Sequence, residues 1–223
     1  MLGLVLFAVL LHGFGLPAES IAGRSEQLMV FGRGEFIGAL FAALLGAMSI
    51  TSEIRHGTIR PTFLVTPGRG RVVAAKVSAS ILIGAGFGLA GCALAAGVGA
   101  AILRARGIEV QLDGGDYGLL LAGGTAAAAL WAVIGVGIGA VVRNQVPTLV
   151  GICAWLLFVE GLLSDAASIA DVTRFAPGGA AQALSGQDFG SLLAPGAGLA
   201  LLVVYAGGAA LAALLATSRR DVA

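Results

Sequence analysis

Charge is what this sequence has least of. Only 11% of its 223 residues are Asp, Glu, Lys or Arg, against about 25% in a soluble domain. That leaves too little polar surface to solvate a globule, so a soluble fold is excluded. Lysine occurs once, at Lys76, after Ala74-Ala75 and before Val77. A P-loop needs Gly-x-x-x-x-Gly-Lys-(Ser/Thr), whose amides and lysine hold phosphate, so the chain has no such nucleotide site. The two cysteines, Cys92 and Cys153, each lie inside an apolar run, where they read as small hydrophobes rather than disulfide or metal partners. His12 and His56 are far apart, and no metal or other cofactor is expected. Aromatics are few, basic residues are not interleaved with them, and net charge is +1. Nucleic-acid binding therefore has no support. There is no His-Glu-x-x-His, no pair of aspartates in apolar runs and no serine with an evident base, so no catalytic residue is expected.

Apolar residues and glycine fill the space that charge leaves. The chain is 58% hydrophobic, has 36 glycines and has a mean hydropathy of +0.98. Its glycines alternate with Leu, Val and Ile, as in membrane helices, where they let backbones approach closely. A spanning helix needs about 20 apolar residues. Candidate runs are Met1–Leu16, Phe36–Ile50, Ser80–Leu103, Tyr117–Val142, Val146–Leu163 and Gly196–Ala216. They predict an all-α polytopic membrane protein with six transmembrane helices, forming a single domain over residues 1–223. The first run is short, but it lacks the basic n-region and small-x-small cleavage site of a signal peptide. We expect a genuine, shortened span whose start has lost a cytoplasmic segment. Four polar segments separate the runs: Pro17–Glu35, Glu53–Lys76, Arg104–Asp116 and Ser164–Pro195. The last contains Pro177-Gly178-Gly179 and is apolar enough to re-enter the membrane interface.

Basic residues set the expected orientation. Glu53–Lys76, Arg143–Gln145 and the C-terminal tail fall on one side, with eight of the thirteen basic residues and two of the twelve acids. That side is expected in the cytoplasm, and an even number of spans puts both termini there. The segment after span two reads Glu53-Ile54-Arg55-His56-Gly57-Thr58-Ile59-Arg60-Pro61-Thr62, then Thr66-Pro67-Gly68-Arg69-Gly70-Arg71, then Lys76. It reads as a short polar helix broken at Gly57 and Pro61, followed by a turn. Such an element either binds lipid head groups, docks onto a protein, or only anchors the chain. Within span five, Glu160 is an expensive intramembrane carboxylate. It faces a polar path, pairs with Arg174 or another loop group, or sits at the interface. His12 reads as a packing or interfacial residue. Gly84-x-x-x-Gly88 and Gly135-x-x-x-Gly139 read as helix crossings within one subunit.

Glu53-x-x-x-Gly57-Thr58-Ile59-Arg60, then Thr66-Pro67-Gly68-Arg69 and Lys76, resembles the permeases of the type-2 ABC transporter family. Two later stretches resemble it too: Gly135-x-Gly137-x-Gly139-Ala140-Val141-Val142-Arg143-Asn144-Gln145, and Arg174-Phe175-Ala176-Pro177-Gly178-Gly179-Ala180-Ala181. Members usually begin with a basic amphipathic helix, whereas these residues start on the apolar run. The resemblance implies a six-helix cell-membrane subunit that dimerises with itself or a related permease and binds a separate ATPase. It further implies a coupling helix between spans two and three, with Glu53, Arg55, Gly57, Thr58, Arg60 and Arg69 at the ATPase contact and Glu53 able to pair with Arg55 or Arg60. The protein would then be an exporter without covalent chemistry of its own. The lack of charge clusters in the spans favours apolar or amphipathic cargo, such as a drug or lipid. A secondary carrier and a non-transporting scaffold or immunity protein are the alternatives.

The charge asymmetry makes orientation testable. In a cysteine-free background, cysteines placed at Arg69 and Arg220 are expected to be shielded from impermeant thiol reagents in intact cells, and one at Asp113 to be labelled. Labelling at Arg69 with shielding at Asp113 reverses the orientation.

Overall fold

Backbone polar groups find no water in hydrocarbon, so a chain that crosses it must satisfy them internally. This chain does so with helices. The computed structural model describes residues 1–57, 69–165, 170–187 and 192–219. Among the described residues there is no strand. The α-helices are α1 (Leu2–Gly15), α2 (Arg24–Arg55), α3 (Arg69–Ala105), α4 (Gly114–Val142), α5 (Gln145–Ala154), α6 (Glu160–Asp165), α7 (Ala170–Thr173), α8 (Pro177–Leu184) and α9 (Pro195–Arg219). A π-helical turn, Trp155–Val159, joins α5 to α6.

Five stretches are long and apolar enough to cross a membrane: α2, α3, α4, the continuous Gln145–Leu163 stretch, and Pro195–Thr217 of α9. The protein is thus a multi-pass, membrane-embedded helical protein. The remaining apolar helix, α1, has 14 residues, about 21 Å of rise against a hydrocarbon core of about 30 Å. Two helices begin earlier than their apolar runs. α2 starts at Arg24 rather than Phe36, and α3 at Arg69 rather than Ser80. Charges at Arg24, Glu26, Arg33 and Glu35 give the first of these stretches the composition of a loop, yet its Leu28, Phe31 and Glu35 are buried along one helical face.

Local chemistry explains several ends. Asp113 caps α4 in a capping box: its side chain accepts from the Asp116 amide, and the Asp116 carboxylate accepts from the Asp113 amide. The same carboxylate takes the Arg24 guanidinium, tying the start of α4 to the start of α2. Buried Gln27 holds the 106–113 connection, donating to the Glu109 carbonyl at 2.9 Å and accepting from the Gln111 amide at 2.8 Å. α4 ends with Arg143 at φ 57°, its amide donating to the Gly139 carbonyl at 3.0 Å.

α2 and α4 form the centre, and each buries more than half of its apolar window. Small residues let them touch backbone to backbone. Cβ atoms at Gly135 and Gly139 would run into the backbone of Ala43 and Ala47 on α2, while one at Gly137 would meet Ala209 on α9. The Gly-x-Gly-x-Gly run therefore serves two neighbours from opposite faces of one helix. Gly84 and Gly88 place α3 against Ala128 and Gly124 of α4 in the same way. Further along the same small-residue stripe of α3, Gly34 and Gly91 face each other across the α2 crossing.

This packing predicts unequal tolerance to a β-carbon. Gly34→Val would force backbone against backbone, whereas Gly97→Val on α3 meets nothing within 4 Å. Thermal unfolding in detergent should show Gly34→Val destabilised by at least about 1–3 kcal/mol, the usual cost of overpacking, and Gly97→Val close to the parent. Equal behaviour would remove the α2–α3 crossing.

Candidate functional site

At one end of the bundle, α2 runs past the apolar zone to Arg55. Antiparallel α3 begins at Arg69 and returns Lys76 to the same level. Lys76 Nζ lies 2.7 Å from Glu53 Oε1 and 2.6 Å from the Ser49 carbonyl. Both side chains are mostly enclosed, at 16% and 29% exposure for Lys76 and Glu53, so this ion pair is less screened than a surface one. One turn along α2 from Ser52, Arg55 Nη1 donates to Gln145 Oε1 at 3.1 Å, joining α2 to the first residue of α5. Arg55, Arg143, Asn144, Gln145 and Val146 line a recess of about 250 Å³ between these ends. Glu53 bonds Lys76 on the next helix, and Arg55 reaches the α4–α5 turn; the Arg60 that the resemblance also offered to Glu53 lies outside the described residues.

Gly57 follows at φ +70°, a left-handed conformation that side chains resist, and no atom lies within 4 Å of a Cβ placed there. Its glycine answers a backbone requirement rather than a crowded neighbour. Thr58 and Arg60 lie outside the described residues, as does most of the expected coupling helix. Of Arg69 only the backbone, opening α3, is described.

A second polar cluster occupies the opposite end. Glu160 Oε1 accepts from Trp155 Nε1 at 2.5 Å and from the Gly178 amide at 3.0 Å. Gly178 is the second residue of α8, whose N-terminal amides have no intrahelical partner. Glu160 thus caps a helix from another part of the chain. Arg174, the loop group that seemed a natural partner, has its guanidinium over the Phe175 ring, 4.9 Å from the centroid. Past the other end of α8, Gln187 Nε2 donates to Glu35 Oε2 at 3.1 Å and to Ser185 Oγ at 2.8 Å. Glu35 is 2% exposed. It fits beside α4 because Gly124 has no side chain, and Gln187 fits beside α2 because Gly32 has none. Two carboxylates from two spans therefore hold α8 at both ends. Its own buried residues are small, Gly178 to Ala181 and Ala183, except for Leu184. An apolar groove of about 410 Å³ opens nearby, with Trp155, Val172, Phe175 and Tyr205 among its walls.

By composition Glu35 falls in a loop, and Lys76 stands in a motif without an assigned partner. The signal for Glu35 was available: it follows Leu28 and Phe31 at helical spacing. Compared with known proteins, the chain matches no family model and no curated protein.

The Glu53–Lys76 contact yields a double-mutant cycle. Glu53→Gln and Lys76→Met should each lower stability by roughly 1–2 kcal/mol, the range for a charge-assisted bond that is partly enclosed. The double variant should cost less than the sum. Strict additivity in detergent unfolding would show that the pair contributes nothing.

Proposed function

We propose that this chain is the membrane-spanning permease subunit of an ATP-driven exporter, resembling type-2 ABC permeases. In this reading α1 is the first of six spans, the Lys76 end of the bundle is cytoplasmic, and both termini lie there in the cell membrane. Two permease subunits, identical or related, form the path for an apolar or amphipathic cargo. A separate ATPase docks on the segment from Glu53 to Arg69, with Glu53, Arg55, Gly57, Thr58, Arg60 and Arg69 as its contact. The chain supplies no catalytic residue, metal site or cofactor of its own.

One observation carries the reading. Both flanks of residues 58–68 are fastened to the bundle by polar contacts, Glu53 to Lys76 and Arg55 to Gln145. A push on that segment is delivered together to α2, α3 and the α4–α5 turn. Simple anchoring by basic residues needs no such cross-bracing. A secondary carrier would rest on Glu160 as a cargo or proton group, and that carboxylate is engaged in capping α8.

The test separates coupling from insertion. Gly57→Val is strained at φ +70°, whereas Asn tolerates that region. Gly57→Val and Arg60→Glu are therefore expected to insert normally and to lose either ATPase co-purification or cargo-stimulated hydrolysis. Charge reversal at a docking surface costs several kcal/mol. Gly57→Asn should retain both. Variants that insert, bind the ATPase and export like the parent would defeat the coupling assignment.

A further inference from the structure

Among the described residues Arg33 has no counter-ion. It follows Arg24 by nine residues on α2, about 13 Å along the axis, and Arg24 marks the polar boundary with its Asp116 partner. Arg33 Nη2 lies 2.8 Å from His12 Nε2 on α1, and its buried Nε meets no acceptor. The other ring nitrogen of His12 faces the Ala8 carbonyl at 3.3 Å. A donor there leaves Nε2 as the acceptor of the Arg33 N–H, so the contact binds a cation without neutralising it. Arg106, just beyond α3, donates to the carbonyl of Gly13, the residue after His12. Two guanidinium groups thus converge on the last turn of α1, and among the described residues neither pairs with a carboxylate. Helix carbonyls at a C-terminus attract cations, but they supply only a partial charge. A full positive charge at bilayer depth is costly without an anion.

The same helix shows what kind of anion fits. Leu4, Phe7, Leu11 and Phe14 form a stripe at spacings of three and four, and each is more than half exposed. In a membrane this is a surface for acyl chains; its last turn has His12 at the edge, while Gly13 faces Ile102 on the packed side. A ligand with an apolar tail and an anionic head would cover the stripe and neutralise the cations together.

We propose that the phosphate of an anionic phospholipid binds at the end of α1, bridging Arg33 and Arg106, with its acyl chains along Leu4 to Phe14. The charge complementarity and the stripe favour lipid over a soluble anion or an acidic partner. The site does not depend on the transport reading.

The full chain, purified in mild detergent, is titrated with short-chain phosphatidylglycerol, short-chain phosphatidylcholine or inorganic phosphate, and Tm is followed. Phosphatidylglycerol should raise Tm saturably and more than the other two at equal concentration. Arg33→Gln and Arg106→Gln should each shift the half-saturating concentration roughly tenfold upward, the loss expected for one charge-assisted hydrogen bond. Arg24→Gln, which breaks the Asp116 pair, should lower the starting Tm and keep the lipid response. Arg106→Gln carries the test if Arg33→Gln loses its fold. Equal protection by phosphatidylcholine or by inorganic phosphate overturns the anionic-lipid assignment. So does an unchanged phosphatidylglycerol response in the Arg106 variant, or a parent insensitive to all three additions.

Discussion

Lipid tails are as apolar as leucine, so helices gain little by hiding hydrophobic surface from them. Cohesion has to come from close contact, and here it comes from α2 and α4 meeting without intervening side chains. Gly46 of α2 abuts the Ala132 backbone, and Gly135 of α4 returns the contact at Ala43. At such separations each pair of atoms gains little, but many pairs gain together. α3 and α9 are added to this slab by the same device, through Gly84, Gly88 and Gly137. A slab built of small residues has room beside it for a few large polar side chains, and that is where Glu35 and Gln187 lie.

Directional contacts then act where packing is weakest. The antiparallel course of α2 and α3 returns Lys76 to Glu53 at one end. At the other, α8 offers mostly alanine and glycine to its neighbours and is fixed by hydrogen bonds at its first turn and at Gln187, just past its end. The division of labour is physical: dispersion holds the middle, where backbone groups are already satisfied, and polar bonds hold the ends, where helix termini leave amides and carbonyls unmet.

Much of this was legible in the residues. Apolar runs disclosed the spanning helices because length and hydropathy are the properties the bilayer demands. The glycine spacings at 84, 88, 135 and 139 disclosed crossings because a missing Cβ permits close approach. Charged residues misled where they lay inside helices. Arg33 and Glu35 have the composition of a loop, but helical rotation carries one to His12 and the other to Gln187. Partner choice was equally hidden. Glu53 bonds a lysine that arrives from 23 residues further along the chain, by a return path that no local pattern records.

The π-turn at Trp155–Val159 carries a consequence of phase. In an unbroken α-helix, residues five apart point about 140° away from each other. Widening one turn to i→i+5 spacing brings them nearly into line, and Trp155 and Glu160 are five apart and hydrogen-bonded. The helix therefore changes its rotational setting midway: residues before the turn and after it are clocked differently around the same axis. Chain length within that turn matters more than the identity of its leucines. Losing one residue would turn everything downstream by about 100°, taking Glu160 away from the amide of Gly178, although the stretch would remain as hydrophobic as before.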